Sequence, residues 1–401
     1  MPVASDRGLR SRSATVTLLG ITQILAWGSS YYLLAVLAGA ISRDTGWPLG
    51  FVVGGLSLGL VVGGLVSPAI GKRIGDGYGR FVLAISSVCL GLGLFLLGLA
   101  PSMPIYLLAW TIIGVGMGAG LYDAAFSVLG TLYGLQARRT ITALTLFGGL
   151  ASTVCWPLSA FLLEHAGWRG TCFVYAGIQF GLSLPVYIFL LPSPPEVGRA
   201  QASVTPRDEP PIRAEQQFDF LLLAASISLA ALISTTLSVH LLQVLQADGL
   251  TLAGAVALGA LVGPCQVTAR LVEMIFGSRY HPIWTKLAAT SLVTIGVFLL
   301  WNGSPFLALG LMFYGFGIGL ESIARGALPL TLYGADGYGA RMGRIALPSL
   351  VAQAIAPFLG AWLLQVGGAH LTFVVLFSFA AANVSLVLLL RFRTRSAMLQ
   401  T

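Results

Sequence analysis

The stretch Phe81–Ala100, FVLAISSVCLGLGLFLLGLA, runs for twenty residues without a charged side chain. A helix of about 20 apolar residues spans the roughly 30 Å hydrocarbon core of a bilayer. Only helices and closed barrels cross lipid, because backbone groups find no water to bond there. A barrel strand would alternate polar and apolar residues, and this stretch does not. It therefore predicts a membrane-spanning helix.

The rest of the chain has the same character. Of its 401 residues, 56% are hydrophobic and only 9% are charged, with a mean hydropathy of +0.88. A soluble domain carries about 25% charged residues, so a soluble enzyme is excluded. Apolar runs, separated by Gly, Pro and charged residues, predict about twelve membrane-spanning helices. The predicted spans are 15–40, 49–70, 81–100, 104–133, 141–163, 168–191, 218–245, 251–276, 283–301, 305–332, 345–365 and 369–390.

A polar, proline-rich stretch, Pro192–Gln217, divides the spans into two sets of six. We predict an all-α membrane protein made of two pseudo-symmetric six-helix bundles. The expected segments are a cytoplasmic tail (1–14), the first bundle (15–191), a cytoplasmic linker (192–217), the second bundle (218–390) and a second cytoplasmic tail (391–401).

Basic residues indicate the orientation, since cytoplasmic loops retain Lys and Arg. With the N-terminus inside, 18 of the 22 basic residues fall in cytoplasmic segments. We therefore expect a multi-pass protein of the cell inner membrane with both termini in the cytoplasm. The net charge of +8 is then a topology signal, and we expect no nucleic-acid partner. The 18 are Arg7, Arg10, Arg12, Lys72, Arg73, Arg80, Arg138, Arg139, Arg199, Arg207, Arg213, Arg279, Lys286, Arg341, Arg344, Arg391, Arg393 and Arg395.

The two halves repeat at an offset close to 200 residues. Thr131–Gly134, TLYG, recurs as Thr331–Gly334, and Pro157 recurs as Pro357. A register shared by separate regions favours duplication. Six spans per half is an even number, so both halves enter the membrane in the same sense, which is the parallel-repeat plan of one transporter class. Gly54, Leu58, Gly59, Val62, Gly63, Gly77 and Gly167 likewise recur as Gly254, Leu258, Gly259, Val262, Gly263, Gly277 and Gly367.

The loop after the second span, Gly71–Arg80, reads GKRIGDGYGR. With Asp76, Gly79 and Arg80 it resembles the signature cytoplasmic loop of the major facilitator superfamily, although Gly77 stands where that family has a basic residue. The resemblance extends over essentially the whole chain. It implies the major facilitator fold, alternating access and a gating role for Asp76, Gly79 and Arg80.

Two further features carry this resemblance. Span four contains a glycine series like that of the family's fourth span, with Trp110 at the arginine position. Arg270 in span eight is similar in position to the substrate-binding arginine of oxalate and monocarboxylate porters, while Pro348–Gln365 lacks the second basic residue of the oxalate type. The resemblance thus implies an organic anion. The glycine series is Gly114, Gly116, Gly118 and Gly120.

Five ionisable side chains are predicted at bilayer depth, where each costs about 2.5 to 3.5 kcal/mol and is rare unless paired or functional. Three are acids and two are bases, so one carboxylate lacks a basic partner and is a candidate proton carrier. The five are Asp123, Arg270, Glu273, Glu321 and Arg325.

Glu321 and Arg325 lie four residues apart on one face of span ten, with the acid first, which favours pairing. Either they form a structural salt bridge, or Arg325 meets a substrate anion while Glu321 orients it. Tyr314, seven residues before Glu321, shares this face. Asp123 corresponds through the repeat to the neighbourhood of Arg325.

Asp123 is therefore hypothesised to face Arg325 across a central cavity, as a counter-charge or a proton carrier. The alternative places Asp123 at a hydrated cytoplasmic end. Glu273 is expected near the inner interface, in a gate pair or snorkelling, whereas Arg270 lies deeper and is a candidate for the substrate site.

Span one presents a polar-aromatic face of Gln23, Trp27, Ser30 and Tyr31. From this face we predict that Trp27 and Tyr31 contact the substrate. His240 in span seven is either a hydrogen-bonded structural residue or a proton-coupling group.

Together these residues predict a secondary transporter of a small solute, an organic anion such as a monocarboxylate, acting as a symporter or antiporter with the proton as candidate coupling ion. Efflux of a drug-like or metalloid compound is the alternative. A channel or a membrane-embedded enzyme is disfavoured, since neither a GxxxxGK[ST] nor an HExxH motif occurs. We expect a monomer in contact with lipid, with no catalytic residue, metal site or cofactor. A metalloid would bind through Cys89, Cys155, Cys172 or Cys265.

Overall fold

The computed structural model describes residues 12–192, 214–303 and 305–398, which are almost entirely helical. The chain forms two compact units. The first comprises Met1–Glu209 and Ala335–Gly343, and the second comprises Pro210–Gly334 and Arg344–Thr401. Most of the predicted tail 1–14 and linker 192–217 lies outside the described residues, so the domain plan stays a prediction there.

The first unit is built from helices α1 to α8 and the beginning of α14. Short π-helical turns follow α3 and α8, and a 3₁₀ turn joins α6 to α7. The bounds are α1 (Arg12–Ser29), α2 (Leu33–Thr45), α3 (Leu49–Arg73), α4 (Gly79–Leu99), α5 (Met103–Gly120), α6 (Tyr122–Tyr133), α7 (Ala137–Gly149) and α8 (Ala151–Ile178), with turns at Ile74–Tyr78, Gly134–Gln136, Gln179–Ser183 and Val186–Leu190.

The second unit contains helices α9 to α14. Apolar side chains of α9, α12, α13 and α14 form its core, including Val297, Leu311 and Leu376 in one cluster and Ile283 and Leu390 in another. The bounds are α9 (Ala214–Ala247), α10 (Leu252–Gly259), α11 (Val262–Phe276), α12 (Pro282–Trp301), α13 (Leu307–Tyr333) and α14 (Tyr338–Met398), with a 3₁₀ turn at Gly277–Arg279.

Eight helical segments of the described chain are long and apolar enough to cross a membrane. Three of them, Leu49–Leu99, Met103–Leu190 and Tyr338–Thr394, run for 51, 88 and 57 residues. A helix rises about 1.5 Å per residue, so each of these is far longer than the roughly 30 Å needed for one crossing. The total of twelve spans stays a prediction.

Four glycines interrupt these long segments. Gly77, Gly134, Gly167 and Gly368 have φ values of 90°, 57°, 68° and 65°. Side chains of L-residues rarely adopt this region, whereas glycine enters it without a steric cost. Each glycine therefore marks a point where one helix ends and the chain changes direction.

Glycines also set the helix packing of the first unit. Gly114 and Gly118 of α5 face α3, where an added Cβ would lie 2.5 Å from the carbonyl oxygen of Gly59 and 2.6 Å from that of Gly63. Between them, Gly116 faces α4. Small residues let helix backbones approach closely where lipid offers no hydrophobic driving force, and this holds α3, α4 and α5 together.

Candidate substrate-binding site

In the second unit, glycines on two faces of α13 fix its register against two neighbours. Gly317 faces α12, where an added Cβ would lie 2.8 Å from the carbonyl oxygen of Ala289. Gly315 and Gly319 face α11, and a Cβ on Gly319 would lie 2.6 Å from the carbonyl oxygen of Gln266. Backbones this close leave no freedom to slide, so the next turn of each helix meets a defined partner.

That next turn is polar. Glu321 Oε1 forms an ion pair with Lys286 Nζ of α12, and the Lys286 side chain is 0% exposed. Arg270 of α11 is also buried. Its Nε donates to Ser322 Oγ and its Nη2 to Gln266 Oε1, both over 3.1 Å. The glycine packing thus places an acid of α13 against a base of α12, beside a buried arginine of α11.

Two more hydrogen bonds continue this polar layer. Arg325 Nη1 donates to Ser349 Oγ over 2.8 Å, and Thr285 Oγ1 donates to Glu273 Oε1 over 2.8 Å. Arg325 also interacts electrostatically with Lys286. Helices α11 to α13 therefore carry three bases and two acids, a net charge of +1 (three minus two). We call these five residues the charged cluster: Arg270, Glu273, Lys286, Glu321 and Arg325.

Lys286 differs from the sequence-based expectation, which assigns it to a cytoplasmic segment. It lies inside α12 and is fully buried. Counting Lys286 with the five residues gives three acids and three bases. The role of a carboxylate as proton carrier stays a prediction. Glu321 forms a salt bridge with Lys286, and its predicted pairing with Arg325 stays a prediction. Lys286 falls within the predicted span 283–301, which is the signal that could have identified it.

Tyr314 lies two turns before Glu321 on α13 and is buried. Its hydroxyl donates to the carbonyl oxygen of Ser234 on α9 over 3.2 Å. Its backbone nitrogen would lie 2.6 Å from a Cβ added to Gly296 of α12. These contacts tie three helices together, and a role of Tyr314 in substrate binding stays a prediction.

His240 of α9 is hydrogen-bonded through both ring nitrogens. Nε2 lies 2.9 Å from the carbonyl oxygen of Pro357, and Nδ1 lies 3.1 Å from Gln243 Oε1. A carbonyl only accepts, so Nε2 carries a hydrogen. Nδ1 then donates to the oxygen of the Gln243 amide, or accepts from its nitrogen if the amide turns over. A role of His240 in proton coupling stays a prediction.

In the first unit, the structure brings together the residues of the polar-aromatic face of span one. The Trp27 ring lies 5.3 Å from the Tyr31 ring and 5.1 Å from the Tyr122 ring, measured between centroids. Gln23 is fully buried, and its Nε2 donates to the carbonyl oxygen of Gly120 over 2.5 Å. Sequence reasoning named Trp27 and Tyr31 but missed Tyr122, which lies on a different helix.

Asp123 lies in the first turn of α6, half-buried. It interacts electrostatically with Tyr338 of the segment Ala335–Gly343, and the Tyr338 ring packs at Gly130, where an added Cβ would lie 2.6 Å from Cε1. Asp123 and Tyr338 belong to the same unit. The predicted approach of Asp123 to Arg325 involves the other unit and stays a prediction.

The loop that resembles a family signature lies against the same segment. Asp76 is in the π-helical turn, Gly79 and Arg80 begin α4, and Arg80 Nη2 donates to the carbonyl oxygen of Ile188. A Cβ on Gly339 would lie 2.6 Å from the carbonyl oxygen of Gly71. Gly77 adopts a left-handed φ of 90°, which explains glycine where the family has a basic residue. The gating role stays a prediction.

The four cysteines are free thiols. Cys155 Sγ donates to the carbonyl oxygen of Ile24 over 3.5 Å. Within the described residues no group of three His, Cys, Asp or Glu side chains could hold a metal ion. The contacts of these thiols therefore add no support to the metalloid alternative.

Comparison with known families identifies the class of this protein. Residues 18–288 match the family model described as Major Facilitator Superfamily. This is more than half of the chain, so the chain belongs to the major facilitator superfamily, as the loop Gly71–Arg80 indicated. The uncharacterized MFS-type transporter YfiU of Bacillus subtilis (strain 168) is 28% identical over 139 residues, which cover 34% of this chain and 25% of that relative.

Two solved structures show the fold. The human organic anion transporter MFSD10 (TETRAN) superposes with a TM-score of 0.73 at 17% identity, covering 94% of this chain and 100% of that chain. The proton:xylose symporter XylE, bound to 6-bromo-6-deoxy-D-glucose, gives a TM-score of 0.70 at 12% identity, covering 93% and 94%. The predicted all-α fold of this superfamily is confirmed, and the protein is a multi-pass membrane protein of a transporter family.

Proposed function

We propose that this protein is a secondary active transporter of a small organic anion, working by alternating access. The charged cluster is the observation that carries the proposal. An ionised side chain at bilayer depth is expensive to insert and is retained mainly where it is paired or functional. Three bases against two acids leave a net positive charge, which a bound anion would balance.

The ion pair within this cluster supplies a route to proton coupling. Lys286 is fully buried and Glu321 is 16% exposed. If Glu321 takes up a proton, Lys286 loses its counter-charge, and a substrate carboxylate can then replace the carboxylate of Glu321. Proton and anion would travel together, because leaving the Lys286 ammonium buried and unpaired is strongly unfavourable.

The relatives are compatible with this proposal without deciding it. One solved neighbour is an organic anion transporter and another is a proton:xylose symporter, so the fold accommodates both kinds of solute. The preference for an anion rests on Arg270, Lys286 and Arg325. We further propose a monomer in the inner membrane with both termini in the cytoplasm, as the distribution of basic residues favours.

Counterflow in proteoliposomes tests the substrate class. Lactate and benzoate are compared with lactamide and benzamide, which keep the shape and lose the charge, with and without a pH gradient. We expect saturable exchange of the carboxylates, stimulation by an inward proton gradient, and no exchange of the amides. Equal exchange of amides and carboxylates, or no carboxylate exchange by folded protein, would contradict the proposal.

A pair of double variants locates the site. Lys286→Met with Glu321→Leu removes both buried charges together and should abolish carboxylate exchange in protein that still folds. The matched control is Arg393→Met with Asp219→Leu, which removes the ion pair between Arg393 Nε and Asp219 Oδ1, 2.5 Å apart in the same unit. The control should keep exchange within about twofold of the unmodified protein, since a partly exposed pair contributes little.

A further inference from the structure

Two helix boundaries of the first unit lie close to Gln23 and Trp27. Helix α1 ends at Ser29 and α2 begins at Leu33, and Tyr32 N bonds back to Trp27 O over 3.0 Å. Helix α5 ends at Gly120 and α6 begins at Tyr122, because Leu121 adopts φ −78° and ψ −169°. Non-helical backbone at membrane depth is tolerated where it is buried in protein or lines a cavity. The interruptions therefore mark this region as a candidate for a binding function.

Chemistry fixes the orientation of the Gln23 side chain. The carbonyl oxygen of Gly120 can only accept, so the end of the Gln23 amide that lies 2.5 Å from it is the NH₂ group. The other end, Oε1, is buried and has no hydrogen-bond partner among the described residues. The fully buried Gln23 thus binds Gly120 through its NH₂ group and keeps Oε1 as an unused acceptor. Leaving such a group unsatisfied is unfavourable.

A matching donor lies one turn further along α1. Trp27 is at position i+4 from Gln23, so the two side chains share a helix face. The indole Nε1, which can only donate, is also buried without a partner in the described part of the chain. The Trp27 ring contacts the rings of Tyr31, Tyr32 and Tyr122 at centroid distances of 5.3, 6.0 and 5.1 Å. One acceptor and one donor therefore stand unused beside an aromatic surface.

We infer that the first unit binds a planar aromatic group bearing a neutral hydroxyl. A hydroxyl donates to Gln23 Oε1 and accepts from Trp27 Nε1 at once, and a flat ring packs favourably against tyrosine and tryptophan faces. A carboxylate does not suit this position, because it has no hydrogen to donate and would face the Gln23 oxygen with a negative charge. This site therefore recognises a neutral end of a ligand, and we call it the hydroxyaryl site.

Ligand pairs that differ by one hydroxyl test the inference on the unmodified protein. Phenol is compared with toluene, and 4-hydroxybenzoate with benzoate, by the thermal stabilisation of purified full-length protein and by competition in counterflow. We expect the hydroxylated member of each pair to bind about tenfold more tightly, which is the effect of one or two buried hydrogen bonds. Equal binding of the two members within both pairs would overturn the inference. It would mean that water, and not a ligand hydroxyl, fills this position.

Two tryptophan variants assign the effect to a residue. Trp27→Phe keeps a ring and removes the N–H, so the preference for the hydroxyl should fall several-fold. Trp110→Phe is the matched control, since it also removes a buried indole N–H and keeps a ring. The Trp110 ring, however, packs 2.5 Å from the Cβ position of Gly55 and leaves no room for a ligand. An unchanged preference in Trp27→Phe, or an equal loss in Trp110→Phe, would contradict the assignment.

The benzoate pair rests on the proposed function, because it supposes that carboxylates are substrates. The phenol pair does not. If neither carboxylate binds while phenol still binds more tightly than toluene, the anion proposal fails and the hydroxyaryl site stands. If both carboxylates are transported equally well and phenol binds no more tightly than toluene, the anion proposal stands and the hydroxyaryl site fails.

Discussion

Helix α5 of the first unit and helix α13 of the second unit pack through the same spacing of glycines. Gly114 and Gly118 bring α5 against α3, and Gly315 and Gly319 bring α13 against α11. Each pair lies 201 positions from its counterpart (315 minus 114), close to the offset of the sequence repeat. The two units thus share the backbone contacts that set helix register.

The two regions differ in the next turn. In the second unit Glu321 meets Lys286 in a buried ion pair. At the matching place in the first unit, Ser86 donates to the carbonyl oxygen of Gly116 over 2.8 Å, and a Cβ on Gly120 would collide with Ser86 Oγ. The first unit is therefore neutral and tightly packed where the second is charged, and its helix is interrupted just beyond Gly120. The same glycine spacing therefore precedes a charged turn in the second unit and a neutral turn in the first.

The largest expected effect comes from breaking the buried ion pair, which the second unit has where the first unit has a neutral contact. Lys286→Met leaves the Glu321 carboxylate buried without its partner, which should lower the free energy of unfolding by about 3 to 5 kcal/mol. Adding Glu321→Leu removes the stranded charge and should restore most of the loss. Thermal unfolding of detergent-purified protein, followed by size-exclusion chromatography, measures both. Equal stability of the single and double variants would show that the two charges do not depend on each other.

The first unit supplies the control for that experiment. Ser86→Ala removes one hydrogen bond from a neutral contact, so about 0.5 to 1.5 kcal/mol should be lost. A loss as large as that of Lys286→Met would mean that tight packing, and not burial of charge, dominates at both places.

Hydropathy predicted the helices well because insertion into lipid depends on local composition. The stretch Phe81–Ala100 coincides with α4 (Gly79–Leu99) within two residues. The glycine series of span four is likewise visible in the sequence and lies at the close contacts of α5 with α3 and α4. These features depend on residues near in sequence, which is why they can be read without a structure.

Local composition places Lys286 within a predicted span, but it does not reveal its partner on another helix or the interruption at Leu121. Lys286 stands close to the start of its span, where a lysine ordinarily reaches the interface, but here it is buried and paired with Glu321 of α13. Leu121 is apolar and gives no sign of a break. Its conformation is accompanied by a contact from Gln23, 97 positions away in the sequence, which a window of local residues does not detect.

An intermediate effect is expected from substitutions at the glycine contacts that the two units share. Gly114→Ala and Gly315→Ala place a Cβ 2.5 Å from the carbonyl oxygen of Gly59 and 2.9 Å from that of Val262. Overpacking of this kind costs about 1 to 3 kcal/mol, and we expect similar losses of thermal stability in both variants.

Gly54→Ala and Gly263→Ala are the matched controls for these substitutions, because an added Cβ meets nothing within 4 Å at either position. Alanine is favoured over glycine in a helix by about 1 kcal/mol, so the controls should be neutral or slightly stabilised. Loss of stability in only one of the two units would show that their glycine packing is not equivalent.

The smallest expected effect comes from the ion pair between Arg169 and Asp44 in the first unit. The charged atoms are 3.5 Å apart, and the side chains are 41% and 53% exposed, so the pair should contribute no more than about 1 kcal/mol. Asp44→Asn removes the charge and keeps an oxygen for Trp168 Nε1, which donates to Asp44 Oδ2 over 2.9 Å. We therefore expect a small loss of thermal stability that salt diminishes. A loss as large as that of Lys286→Met would mean that burial does not explain the cost of breaking an ion pair here, and the contrast between the charged cluster and the first unit would need another cause.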